Sequence, residues 1–262
     1  MSGTFDDAGN LDPTRPIIVL CTGRKGSGKS VMGKLIFQGF PGDRVVIDVA
    51  HDDGPWGPDV IELRGPVDEL PAKWPEDQRV DGKRMTLRYV PDSGSSTFLQ
   101  DCDRVVGMAM HHGDCAILIH EVRRVVPANK TQPHMAALLD HSRHARVTAI
   151  FCGPRPMTID PLVVAQADLV YIFETRGVHD KRRLAEEIGW DHQQLAAAIA
   201  ALGPHEYLRY DANEPPPEPG DKDLRLTHWD ALPADVVAQV ERWAKGGAQP
   251  DATPARPLPR HR

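Results

Sequence analysis

The residues with the most chemical capacity lie close together near the start of the chain. Gly23 to Ser30 read GRKGSGKS, which satisfies G-x-x-x-x-G-K-[ST] at every position. Glycines let the backbone curl so that successive N–H groups point inward, and a helix starting at the loop's end adds the positive end of its dipole. A concave site of this kind takes a polyphosphate. Lys29 can reach the β and γ phosphates of a nucleotide, and Ser30 can offer its hydroxyl to Mg²⁺. The remaining cradle positions are Gly23, Arg24, Lys25, Gly26, Ser27, Gly28 and Val31. For the Arg24 and Lys25 side chains, solvated charge is the default role.

Holding a triphosphate is not yet a reaction. Hydrolysis needs a carboxylate near the terminal phosphate to orient or deprotonate water, and the tip of a neighbouring apolar strand is where such a group stands. The segment CAILIHE, Cys115 to Glu121, supplies Glu121. His120 precedes it, where a hard Mg²⁺ ion prefers a carboxylate reached through a metal-bound water; a neutral imidazole can still accept a hydrogen bond from that water. Asp48, Asp52 and Asp53 are other acids that could stand in, each with a solvated loop carboxylate as the plainer alternative.

Elements that could position these groups follow from the pattern of apolar residues. Pro16 to Gly23, Arg44 to Ala50, Met85 to Val90, Cys115 to Glu121, Arg146 to Gly153 and Asp168 to Glu174 are short, nearly continuous apolar runs, as expected of strands buried on both faces. Helix-periodic stretches lie between them. This alternation predicts an α/β fold with a mainly parallel sheet and helices on both faces. Residues 51–83, rich in Pro, Gly and Asp, read as a long surface insertion. Asp180 and Asp191 are N-cap candidates and Gly189 and Gly203 stop candidates for two later helices. Glu206 to Ala212 suits an edge strand. The expected layout is a loose arm over 1–15, a nucleotide-binding domain over 16–212, a Pro-rich linker over 213–232, a helix over 233–246 and a basic tail over 247–262.

The 262 residues carry a net charge of -6, which argues against coating nucleic acid by bulk attraction. No run of about 18 apolar residues exists, so no bilayer-spanning helix and no membrane insertion are expected. The first residues do not read as a secretory signal. Cys21, Cys102, Cys115 and Cys152 have no metal-like spacing and read as buried thiols of a reducing, cytoplasmic compartment.

Several longer segments carry a resemblance. HEVRRVVP, His120 to Pro127, is similar to the DEAHRLxP segment of HerA and FtsK-like P-loop ATPases, with the first acid replaced by His120. In the following block Arg155 and Pro156, then Asp160, Pro161, Gln166, Ala167, Asp168 and Phe173, match that superfamily's Gln-Arg-Pro turn and ADxxxxF strand. The resemblance covers residues 16 to 210 and implies a RecA/ASCE-like P-loop fold. It further implies MgATP hydrolysis, a homo-oligomer in the form of a hexameric ring, and double-stranded DNA as the partner drawn through it. An arginine delivered from a neighbouring subunit is part of that picture, and Arg143 and Arg146 are the candidates; a salt-bridged helix end is the alternative for each. Arg123, Arg124, Lys181, Arg182 and Arg183 could touch DNA phosphate. Pro154 stands where the family carries a polar sensor of the γ-phosphate, usually Gln. The small size resembles the genome-packaging ATPases of double-stranded DNA phages, placing the chain in a bacterial host cytoplasm.

Two other functions fit the same residues. His120 and Pro154 suit a nucleotide-binding assembly subunit that hydrolyses little, and a small-molecule kinase would need an arginine-rich lid. His111 with His112, and His141 with His144, are pairs that could bind a metal only with acid or Cys partners from elsewhere. Asn129 to Gln132, NKTQ, lacks the acid that would read guanine, which leaves adenine favoured.

Overall fold

The computed structural model describes residues 15–50, 56, 60–66, 73–78, 83–214 and 225–238. The phosphate loop is built on β1 (Ile18–Thr22), whose IVLCT sequence is buried throughout. Alternate residues face opposite sides: Ile18 and Leu20 join the apolar core on one side of the sheet, Val19 and Cys21 the core on the other. A strand buried on both faces has no polar side to display, hence its unbroken apolar sequence.

β2 (Asp43–Ile47), β4 (Thr86–Val90), β5 (Cys115–Ile119), β6 (Val147–Gly153) and β7 (Leu169–Phe173) are likewise buried throughout, β2 and β4 with Asp43, Arg44 and Arg88 among their buried residues. With β3 (Val60–Arg64), β8 (Tyr207–Asp211) and β9 (Leu226–Trp229), they form one sheet in the order β3-β4-β2-β5-β6-β1-β7-β8-β9 among the described residues. Pairing is parallel from β3 to β7 and antiparallel at β7–β8 and β8–β9.

Helix α1 (Lys29–Gly39) packs Met32, Ile36 and Phe37 on one face. The other face is covered by α2 (Phe98–His112), α3 (Val122–Val125), α4 (Pro133–Ala145), α5 (Pro161–Ala165), α6 (Val178–Ile188) and α7 (His192–Ala200). The expected α/β architecture is therefore present, with its helices unequally shared between the two faces.

Three elements differ from the sequence expectation. β3 lies inside the segment read as an insertion; only Leu63 is fully buried there, so the strand has the mixed burial of a sheet edge. β9 lies inside the segment read as a linker, and it pairs with β8, which is therefore an internal strand rather than an edge. Asp180 does not cap α6. Gly177 occupies that position, and Asp180 sits in the first turn, buried and accepting the Met157 amide at 3.2 Å. Asp191 does cap α7, accepting the Gln194 amide at 2.8 Å, and Gly189 ends α6 with a left-handed φ of 68°. Residues 234–238 are helical, as expected; the arm over 1–14 and the tail lie outside the described residues.

Asp48, just after β2, is not a solvated loop acid. Its side chain is 0% exposed and takes the Arg88 guanidinium at 2.6 and 3.0 Å. Arg88 also reaches Glu62 of β3 at 2.8 Å, tying the edge strand to the interior. Asp52 and Asp53 lie outside the described residues.

Truncating one partner of a buried ion pair strands the other, which typically costs about 3–5 kcal/mol. Arg88→Ala is therefore expected to lower unfolding stability by roughly that amount in a denaturant titration, and Glu62→Gln, at an exposed site, by under about 1 kcal/mol. Equal effects of the two would show that the Asp48 contact is not the anchor. All four cysteines are buried and free, and burial pushes the Cys21, Cys102 and Cys115 thiols up. A protonated, buried thiol is a poor nucleophile. A thiol-specific disulfide reagent at pH 8 is expected to modify none of them in the folded protein and all of them after denaturation.

Candidate active site

Between β1 and α1 the loop turns on glycines at the positions the motif requires. Gly23 has φ +150°, and a Cβ there would lie 2.6 Å from Phe173 Cβ and 2.9 Å from Ser27 Oγ. Gly28, at φ +105°, is the N-cap residue of α1, and its missing Cβ would stand 3.2 Å from the Phe173 ring. The end of β7 thus forms a shelf under both glycines. The loop is pinned to that shelf by the Arg24 amide, which donates to the Glu174 carbonyl at 2.8 Å.

The start of α1 has no side-chain cap and no acid in its first turn. Its first amides have no intrahelical acceptor by geometry. Among the described residues no acceptor meets the amides of Gly28, Lys29, Ser30 or Val31. Lys29 is 7% exposed and forms no ion pair among the described residues. The Ser27 hydroxyl is also buried without a hydrogen-bond partner. The Lys29 side chain, a buried hydroxyl and an uncapped helix start therefore converge on one loop. A polyphosphate would partner all three.

The Arg24 side chain is used elsewhere: its Nε donates to Glu174 at 2.5 Å, and that bond holds the Glu174 carboxyl below the usual carboxylate range. Lys25 is exposed. Ser30 stands in the first turn of α1, half-buried.

Sheet order places the acid. β6 separates β1 from β5, and both strands point their C-terminal ends the same way. Glu121, two residues past β5, therefore stands at the phosphate-loop end of the sheet. It adopts φ +54°, a left-handed conformation uncommon for a residue with a side chain. Its carboxylate is partly exposed, with Arg123 Nε at 3.9 Å. His120 is 4% exposed and its ring lies 5.2 Å from that of Trp56, in the core on the α1 side of the sheet. The candidate metal donors are thus one hydroxyl and one imidazole. Mg²⁺ prefers oxygen, so such a set fits an ion held mainly by phosphate oxygens and Ser30, with His120 reached through water. Pro154 follows β6, and Arg155 beside it contacts Asp180 at 3.4 Å.

Arg143 and Arg146 are at the other end of the sheet. Arg143 pairs with Asp168 at 2.7 Å, and Asp168 also accepts the Ile18 amide at 2.8 Å at the start of β1. Arg146 pairs with Asp114, just before β5. The five residues of β1, at about 3.3 Å each, separate these arginines from their own chain's cradle. Arg182 and Arg183 are paired along α6 with Glu186 and Glu187, while Arg123 and Arg124 are exposed.

Sequence reading missed the Phe173 shelf and the Glu174 tether, both set by strand pairing across 150 residues in sequence. It also missed that His112 has acid partners, Asp43 at 2.9 Å and Glu76 at 3.5 Å, while stacking on Trp74. Each ring nitrogen faces a different carboxylate. His141 and His144 are exposed with rings 6.2 Å apart. No described helix is long and apolar enough to cross a membrane.

No protein-family model matches the sequence, and no curated protein matches it. Among solved structures the chain is similar to the genome packaging NTPase B204 from Sulfolobus turreted icosahedral virus 2. The sulfate complex of that protein gives a TM-score of 0.58 at 20% identity, covering 78% of this chain and 94% of that one. Its AMP complex gives 0.57 at 20% identity, covering 78% and 95%, and its ATP-gammaS complex 0.56 at 21% identity, covering 78% and 94%. The chain shares the P-loop NTPase fold of that packaging NTPase.

Proposed function

We propose that this protein is an ATPase of the DNA-packaging type, which hydrolyses MgATP and couples that reaction to movement of double-stranded DNA. The observation that carries the reading is the convergence on one loop of Lys29, which has no ion pair among the described residues, the buried and unpartnered Ser27 hydroxyl, and the uncapped start of α1. Its fold neighbour B204 is a genome packaging NTPase crystallised with AMP and ATP-gammaS, which supports adenine nucleotide as the ligand here.

In this reading the loop amides and Lys29 hold the β and γ phosphates. Mg²⁺, when bound between Ser30 and the phosphate oxygens, supplies positive charge that offsets what develops in transfer. Glu121 orients the attacking water and accepts its proton. Arg143 or Arg146 serves the cradle of a neighbouring copy in a homo-oligomeric, hexameric ring. Both are out of reach of their own cradle; the Arg146–Asp114 pair is exposed and cheap to exchange, since such pairs are worth about 0–1 kcal/mol, whereas Arg143 pairs with the mostly buried Asp168. Arg123 and Arg124 are exposed cations available to DNA phosphate.

A second reading, an assembly subunit that binds ATP with little turnover, is favoured by His120. Its imidazole brings no negative charge to the metal side and is buried against Trp56.

Lys29→Ala is expected to weaken ATP binding on the order of 10- to 100-fold by calorimetry, the worth of one charge-assisted hydrogen bond. Undiminished ATP binding by Lys29→Ala would remove the basis of the assignment. Glu121→Gln is expected to lower turnover by about 10² to 10⁴ at similar nucleotide affinity. Turnover stimulated by double-stranded DNA and lost in Glu121→Gln identifies the motor; tight binding with negligible turnover, with or without DNA, identifies the assembly subunit.

A further inference from the structure

One side chain beside the cradle has no part in the mechanism above. The turn after α7, residues 201–206, leads into β8, whose first residue Tyr207 pairs with Phe173 at the end of β7. Because β8 runs antiparallel to β7, this turn arrives at the phosphate-loop end of the sheet. Its tip is His205. The imidazole Nδ1 lies 3.7 Å from the position a Cβ on Gly28 would take, on the same flank as the Phe173 ring. Gly28 is thus bordered by an aromatic shelf and a histidine.

The turn is held in a costly conformation. His205 has φ +63°, a region that side chains other than Asn, Asp and His seldom occupy, and such positions cluster at ligand sites. Glu206 fixes it: its carboxylate accepts the Gly203 amide at 2.9 Å, while its own amide donates to the Gly203 carbonyl at 3.2 Å. His228 of β9 bonds the same carboxylate at 2.8 Å. The last strand of the sheet therefore braces the turn that presents His205.

Direction along the phosphates follows from the sheet. Glu121 lies to the β6 and β5 side of β1, so the terminal phosphate points that way. The sugar and base must leave the cradle on the opposite side, toward β7 and β8, where His205 stands. We infer that His205 is a nucleotide-binding residue that contacts the nucleoside half, offering a ring face to the base or an N–H donor to the sugar. This rests on the nucleotide reading above.

The full chain would be titrated calorimetrically with AMPPCP and, separately, with inorganic tripolyphosphate, which has the phosphates without the nucleoside. His205→Ala is expected to weaken AMPPCP on the order of tenfold, the worth of one good contact, and to leave tripolyphosphate unchanged. His205→Asn keeps a residue that tolerates positive φ and should show the same selective loss, which separates a missing contact from a collapsed turn. Unchanged AMPPCP affinity in both variants, or an equal loss for AMPPCP and tripolyphosphate, overturns the assignment. Should the parent chain bind neither probe, the nucleotide reading itself fails.

Discussion

A loop whose polar groups all favour one anion is the constraint around which this structure is arranged. Lys29 opens α1 without an ion pair among the described residues, the Ser27 hydroxyl is buried without a hydrogen-bond partner, and the helix start is uncapped. Cation, hydroxyl and helix N–H groups suit the same ligand. The strands beneath fix these groups in place. β1 is hydrogen-bonded on both sides, by β6 and β7, so the loop cannot relax by fraying its base, and the Phe173 shelf excludes side chains at Gly23 and Gly28. A site whose donors are mechanically fixed meets an incoming phosphate without reorganising.

Chemistry beyond binding depends on the neighbouring strands. Inserting β6 between β1 and β5 sets the strand that leads into the cradle one strand away from the strand that leads to Glu121. Gly153, at the end of β6, contributes by being small: a Cβ there would meet Val122 Cγ1 at 2.5 Å. α3, which starts directly after Glu121, can therefore close over the strand end. The departures from the pattern its motifs resemble, His120 and Pro154, lie on this side, while the cradle residues match throughout. In the reading proposed above, that partition makes binding and turnover separable.

How much of this was legible in the sequence depended on whether the relevant contacts are local. The cradle was, because eight consecutive residues contain it. Glu121 was legible through the end of an apolar run, and α7 through Asp191 at its cap. The strands that escaped notice, β3 and β9, sit near or at the sheet's edges, where half-exposed residues break the apolar signal that identifies a central strand. Asp48 was misread for another reason. Its burial depends on Arg88, forty residues away, and a sequence alone does not show which carboxylate meets which guanidinium. Asp180 resembled an N-cap because its residue type and position fitted, yet the helix begins one turn earlier at Gly177, where a Cβ would lie 2.3 Å from Asp180 Oδ2.

Asp168 shows how the two ends of the sheet are connected. One of its carboxylate oxygens accepts the Ile18 amide and the other takes Arg143, and its own amide donates to the Ile18 carbonyl. The start of β1 is therefore locked to the start of β7 by the residue that also holds Arg143, while the far ends of these strands carry the cradle and its shelf. Strands are stiff along their length, and here both are buried on both faces, so their relative register is fixed from one end to the other. An arginine drawn from Asp168 toward a phosphate on a neighbouring copy would leave a mostly buried carboxylate with one backbone contact and one lost charge. The cost of that exchange falls on the same strand pair that positions the chain's own nucleotide. If neighbouring copies do share sites in this way, occupancy of one cradle would be felt by the next through β1 and β7.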